Sequence, residues 1–237
     1  MRAGAQFDHF AESYEATLEE ALSVSGENRD YFARGRVGWL ADCLRERSET
    51  PRTILDFGCG VGSTSPLLVT ILGAQSVLGI DASPRSVEVA RRDSHSNQTR
   101  FFLTNEYVPA GDLDLAYCNG VFHHIPPPER LDAVRYVYCS LRPGGFFSFW
   151  ENNPWNPGTR YVMSRCAFDK NAVKISSPGA KELLRAGGFE ILGIHYLFVF
   201  PRMFRWLRSF EKSFCTLPLG AQYQILCRKP TSVNTDL

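Results

Sequence analysis

The stretch from Ile54 to Gly62 reads ILDFGCGVG, and it constrains the fold more than any other part of the chain. It is a short apolar run, one acid and then glycine at every second position, followed by a helix-like run from Ser63 to Leu72. Gly58, Gly60 and Gly62 permit a tight turn and a close approach of backbone to ligand, because no Cβ stands in the way. Asp56 falls at the carboxyl end of the strand, where a doubly wound sheet keeps its ligand. A carboxylate there repels a pyrophosphate and favours a ligand carrying positive charge. The dinucleotide fingerprint needs a third glycine three residues after the second, and this chain has Ser63 there.

Ser76 to Ile80 (SVLGI) reads as a second strand and ends in Asp81, at the distance where an acid commonly grips ribose hydroxyls. Ser83 and Pro84 have the character of a helix N-cap and first helical residue. Further on come DLAYCNGVFHHI and LRPGGFF. With LDFGCGVG and LGIDAS, these four pieces make the region from Pro51 to Glu151 resemble the class I S-adenosylmethionine-dependent methyltransferases, in particular the small-molecule group with a type 11/12 methyltransferase domain.

The resemblance implies S-adenosyl-L-methionine as cofactor and S-adenosyl-L-homocysteine as product. It assigns Asp56 and the loop Gly58, Cys59, Gly60 and Gly62 to the amino-acid part of the donor. It assigns Asp81 to the ribose, Ala82 and Ser83 to the adenine edge, and Asn105 to the position flanking the adenine after the third strand. Asn119 and Gly120 would line the donor from below. Two other readings stay open, a nucleotide-dependent oxidoreductase and a non-catalytic module that binds S-adenosylmethionine.

Candidate strands at Thr53–Gly58, Ser76–Asp81, Arg100–Leu103, Leu113–Asn119, Gly145–Glu151, Phe189–Phe200 and Gln222–Arg228 alternate with helical patterns. This predicts an α/β fold, a doubly wound, mostly parallel seven-stranded sheet covered on both faces. In the resembled family the last strand runs antiparallel. Helical segments at Phe7–Val24 and Asn28–Arg47 predict an N-terminal cap over residues 1–50, ahead of a methyltransferase domain at 51–229 and a loose tail at 230–237.

In-line methyl transfer releases a neutral thioether, so the protein mainly aligns donor and acceptor and excludes water. A base is needed only where the acceptor must lose a proton. His124, within GVFHHIPPPER, is the candidate for that role, and its alternative is a hydrogen bond that shapes the turn. Glu151 closes the fifth strand on the same sheet edge and is the second catalytic candidate. Tyr14, His123, Asn152 and Trp155 are the candidate substrate contacts. Tyr14 shares a helical face with Phe7 and Phe10, and Trp155 offers a flat apolar wall.

The segment Pro201–Phe214 segregates Met203, Leu207, Phe210 and Phe214 from Arg202, Arg205, Arg208 and Lys212. It either covers the sheet with its aromatics inward or rests on an anionic membrane or lipid-linked acceptor. The 26 bases and 25 acids nearly balance, so no global field recruits nucleic acid. Seven cysteines are scattered singly without a CxxC pair, which suggests neither a zinc knuckle nor a disulfide framework. They read as reduced thiols of a soluble, cytoplasmic protein, without a signal peptide or a bilayer-spanning run.

Overall fold

In the computed structural model, the described residues are Glu19, Leu22, 25–166, Asp169 and 172–231. Tyr14 and most of the expected Phe7–Val24 helix lie outside them, as does the tail beyond Thr231.

The sheet has seven strands: β1 (Thr53–Phe57), β2 (Ser76–Asp81), β3 (Thr99–Leu103), β4 (Leu113–Asn119), β5 (Leu141–Asn152), β6 (Glu190–Leu197) and β7 (Gln222–Arg228). Their spatial order is β3-β2-β1-β4-β5-β7-β6. Strands β1 to β5 pair in parallel, while β7 runs antiparallel between β5 and β6. The order reverses between β1 and β4, so the crevice at their carboxyl ends is where an open α/β sheet binds its ligand.

The helices are α1 (Arg29–Arg45), α2 (Ser65–Leu72), α3 (Pro84–Asp93), α4 (Arg130–Ser140), α5 (Pro157–Arg165), α6 (Ser177–Ala186) and the short α7 (Glu211–Phe214). Successive strand residues point to opposite faces, which builds two apolar layers. Leu55, Phe57, Phe147 and Phe149 pack with Val134 and Val137 of α4 on one side. Ile54, Leu115, Tyr117 and Trp150 pack with Val37 and Leu40 of α1 and Leu68 of α2 on the other. Burial on both faces explains why these strands read as continuous apolar runs rather than alternating ones.

Local signals place the ends. The Asn28 side chain accepts from the Tyr31 N–H and starts α1. Ser83 accepts from the Ser86 N–H, with Pro84 as the first residue of α3. Gly58, Gly60 and Gly62 all take positive φ, so the loop after β1 has the bend that its glycines predicted. Gly58 is the most constrained, since a Cβ there would lie 2.3 Å from Val121 Cγ2.

Two expectations are corrected. β6 ends at Leu197 rather than Phe200, because Phe198 takes a φ of 63°, which breaks an extended strand. Pro201–Phe214 is not one amphipathic α-helix: Arg202–Phe210 is a 3-10 helix with a kink at Phe204, and only Glu211–Phe214 is α-helical. A 3-10 helix stacks positions i and i+3 rather than following the 3.6-residue stripe. Met203 and Trp206 therefore stand 75% and 70% exposed, Phe210 is exposed too, and Arg208 turns inward.

Candidate active site

The loop after β1 is organised by carboxylates at the ends of two neighbouring strands. Asp81 Oδ2 accepts from the Gly60 N–H at 2.9 Å, and Oδ1 from the Ser83 N–H at 2.8 Å. One side chain thus fixes the glycine loop and the start of α3. Asp56 is buried and accepts from Ser65 Oγ at 2.7 Å. Burial pushes its carboxyl up to about 6, the Ser65 hydrogen bond opposes that rise, and the nearby Asp81 adds to it. A positive group beside Asp56 would relieve that cost.

A small cleft of about 120 Å³ opens against this loop and includes Asp56, Gly58, Cys59, Gly60 and Asn119. Its opposite wall is α1, through Arg29, Ala33 and Arg36, residues that sequence reasoning did not single out. Arg36 is buried and donates to Tyr117 Oη at 3.2 Å and Gln222 Oε1 at 2.9 Å. Arg29 donates to Ser63 Oγ at 3.2 Å. Asn119 Oδ1 is buried and has no hydrogen-bond partner among the described residues. Gly62, Asp81, Ala82, Ser83 and Asn105 stand outside this lining. Asp81 acts on it through Gly60, and Asn105 is exposed in the turn after β3.

A second cavity, of about 460 Å³, shares Arg29, Arg36 and Asn119 with the first. Gly120, His123, His124, Asn152 and Asp169 also line it. Phe198, Phe200 and Arg208 close its far side. Arg208 is held by Glu27 at 2.9 Å and lies 4.6 Å over the Tyr31 ring, while its buried Nη2 has no hydrogen-bond partner among the described residues. Trp155 does not join the lining. It is 50% exposed, because Asn153 points inward to the carbonyls of Pro218 and Gly220 and carries the chain past the cavity.

The two histidines differ. His123 Nδ1 lies 2.6 Å from Glu151 Oε2, and the His123 N–H donates to Glu151 Oε1 at 3.2 Å. Burial disfavours charge on His123, yet Glu151 and Asp169 together push it up to about 10. His124 is pushed down to about 2, by burial and then by the charge on His123. A histidine so weakly basic takes a proton from a hydroxyl or amine acceptor poorly on its own. Glu151 is fully buried behind His123 and does not line the cavity, so it is not placed to touch a molecule held there.

Asp169, which no sequence signal marked, completes the group. Its Oδ1 lies 3.4 Å from Nε2 of both His123 and His124. The segment carrying it is pinned to the histidine turn by the Val173 N–H, which donates to the His123 carbonyl at 2.8 Å.

Residues 54–145 match the model of a methyltransferase domain family. Among curated relatives, the chain is 27% identical over 122 residues to a trans-aconitate 2-methyltransferase of Rhodopseudomonas palustris. That match covers 51% of this chain and 46% of the relative. It is 36% identical over 104 residues to a ribosomal protein L11 methyltransferase of Burkholderia thailandensis, covering 43% of this chain and 32% of the relative. The chain thus spans half or less of the length of these relatives. Its fold is also that of a solved S-adenosylmethionine-dependent methyltransferase from Thermotoga maritima, described as a possible histamine N-methyltransferase. That structure superposes with a TM-score of 0.61 at 21% identity over 96% of this chain and 100% of the other. No helix among the described residues is long and apolar enough to cross a membrane. Residues 54–145 thus carry a methyltransferase domain, with a glycine loop between two strand-end aspartates and the fold of S-adenosylmethionine-dependent methyltransferases.

Proposed function

We propose that this protein transfers the methyl group of S-adenosylmethionine to a small-molecule acceptor held in the larger cavity. The observation that carries this reading is the junction of the two cavities at Arg29, Arg36 and Asn119, at the carboxyl ends of the central strands. A donor seated against the glycine loop presents its reactive end to a chamber large enough for a metabolite.

The residues present fit the donor. Asn119 Oδ1 offers an unused acceptor, Asp56 a carboxylate that gains from a positive neighbour, and Arg29 and Arg36 guanidinium groups for a carboxylate. When bound, S-adenosylmethionine supplies a methyl group on a sulfonium whose departing thioether needs no proton. The chain then has to align the acceptor and keep water out. Phe32, Phe198 and Met163 supply apolar walls for that purpose, and His124 faces the acceptor from the turn after β4. Arg208, with its unpartnered Nη2, favours an acceptor carrying an anionic or carbonyl group.

The exposed Met203, Trp206 and Phe210, beside Arg202 and Arg205, support a second element of the reading, contact of the 201–214 segment with an anionic lipid surface.

Asp81→Ala is expected to weaken S-adenosylhomocysteine binding by roughly 10- to 100-fold, because a carboxylate that orders the loop through two backbone N–H groups is lost. Titration calorimetry on the folded variant measures this, and an unchanged affinity would remove Asp81 from the donor site.

A further inference from the structure

The cluster of His123, His124 and Asp169 at the cavity wall has a geometry that neither histidine explains alone. One ligand atom from each lies within 4.8 Å of the others. Asp169 Oδ1 stands 3.4 Å from each Nε2, too far for a strong charge-assisted hydrogen bond. It has no hydrogen-bond partner among the described residues, although Asp169 is only 6% exposed. His123 stands beside it as a cation, but no well-aligned donor reaches this buried oxygen, which is left under-satisfied.

Two of the three separations, at 3.4 Å, suit a metal ion, and the third lies within 4.8 Å. Ligand atoms about 2.0–2.1 Å from a tetrahedral centre stand about 3.3–3.5 Å apart. The support behind the ligands suits it too. A metal-bound histidine characteristically donates its other ring N–H to a carboxylate, which turns the free nitrogen to the ion and strengthens it as a ligand. Glu151 is placed for this, 2.6 Å from His123 Nδ1.

We propose that His123 Nε2, His124 Nε2 and Asp169 Oδ1 bind a divalent transition-metal cation of the zinc class, with Glu151 orienting His123. Two imidazoles and one carboxylate form a donor set for zinc, iron or cobalt rather than for calcium or magnesium, which prefer all-oxygen cages. Three protein ligands leave a coordination position open, as catalytic zinc sites do. All three residues line the larger cavity, so that position is accessible to an oxygen of a molecule held there. The cation site itself does not depend on the methyltransferase reading, whereas its use for an oxygen-bearing acceptor rests on it.

The probe is Co²⁺ added to the metal-stripped full chain and followed by visible absorption, with Zn²⁺ competition giving the affinity. The wild type is expected to bind one equivalent, with the intense d–d bands of a four-coordinate nitrogen–oxygen site, and Zn²⁺ to raise its Tm. Asp169→Asn and His124→Ala should each weaken binding at least 100-fold, and Glu151→Gln by roughly 10- to 100-fold. Asp169→Asn keeps the side-chain shape, and circular dichroism and calorimetry with S-adenosylhomocysteine verify its fold and donor site. Cobalt uptake that is the same in wild type and in Asp169→Asn overturns the proposal, as does a spectrum dominated by thiolate-to-metal charge transfer. If S-adenosylhomocysteine binds and Co²⁺ does not, the metal site fails alone. If Co²⁺ binds and the nucleoside does not, the site stands and the proposed donor fails.

Discussion

In the metal-free protein, replacing Glu151 by alanine is expected to lower the free energy of unfolding by about 3–5 kcal/mol at pH 6, because it leaves a buried histidine charge without its nearest partner. The sign with pH follows from His123, which is raised from its ordinary 6.5 to about 10 in the folded protein. Stability from such a group is complete below the unfolded pKa and disappears as the pH rises towards the folded one. The difference between wild type and Glu151→Ala should therefore be largest near pH 6 and shrink on the way to pH 10. Urea denaturation of both proteins at pH 6, 8 and 10 measures it. Glu151→Gln retains an acceptor for His123 but no charge, and should fall between the two. A difference that stays constant with pH would show that Glu151 stabilises through shape and not through the charge on His123.

Asp56→Asn should act in the opposite sense on stability and damage function. Asp56 is raised to about 6 by burial, so the ligand-free folded protein keeps its proton to a higher pH than the unfolded chain does. Its contribution is complete below the unfolded value near 3.8 and is lost as the pH rises through about 6. At pH 8 the full cost of the buried charge, about 3 kcal/mol, is present in the wild type and absent in the asparagine variant. The ligand-free variant is thus expected to be more stable than wild type by up to that amount at pH 8 and equal to it at pH 4. The donor should bind it roughly 10- to 100-fold more weakly, since the carboxylate proposed to receive its positive group has gone. Thermal unfolding at the two pH values, paired with calorimetry of S-adenosylmethionine, checks both halves. A variant that is less stable at pH 8 would contradict the assignment of Asp56 as a strained acid awaiting a cation.

What the sequence revealed and what it hid divide along a physical line. Strands β2, β4 and β7 begin and end where the apolar runs and their flanking breakers place them. The glycine loop and the Ser83–Pro84 helix start are equally local, set by backbone freedom and a single cap. β5 starts at Leu141, earlier than Gly145, because Pro143 and Gly144 look like a turn in isolation but sit at the end of a paired strand. The 201–214 segment misled because its stripe is real at the α period while the chain takes the 3-10 one.

Within the site, the missed residues are those brought in by tertiary contacts. Arg36 reaches Gln222 across 186 positions of sequence. Asp169 meets the histidines only because Val173 docks on the turn after β4. Arg208 reads as one basic residue among several until its pairing with Glu27 turns it into the cavity. No periodicity marks such residues, since their neighbours in space are set by the packing of β6, β7 and α1 on the sheet.

The most direct test of the account is a crystal structure with S-adenosylhomocysteine. It should lie against Gly58–Gly62, its amino-acid end among Asp56, Arg36 and Asn119 and its sulfur facing the chamber that contains His124. A nucleoside lodged elsewhere, or one in this cleft with its sulfur turned away from that chamber, would contradict it.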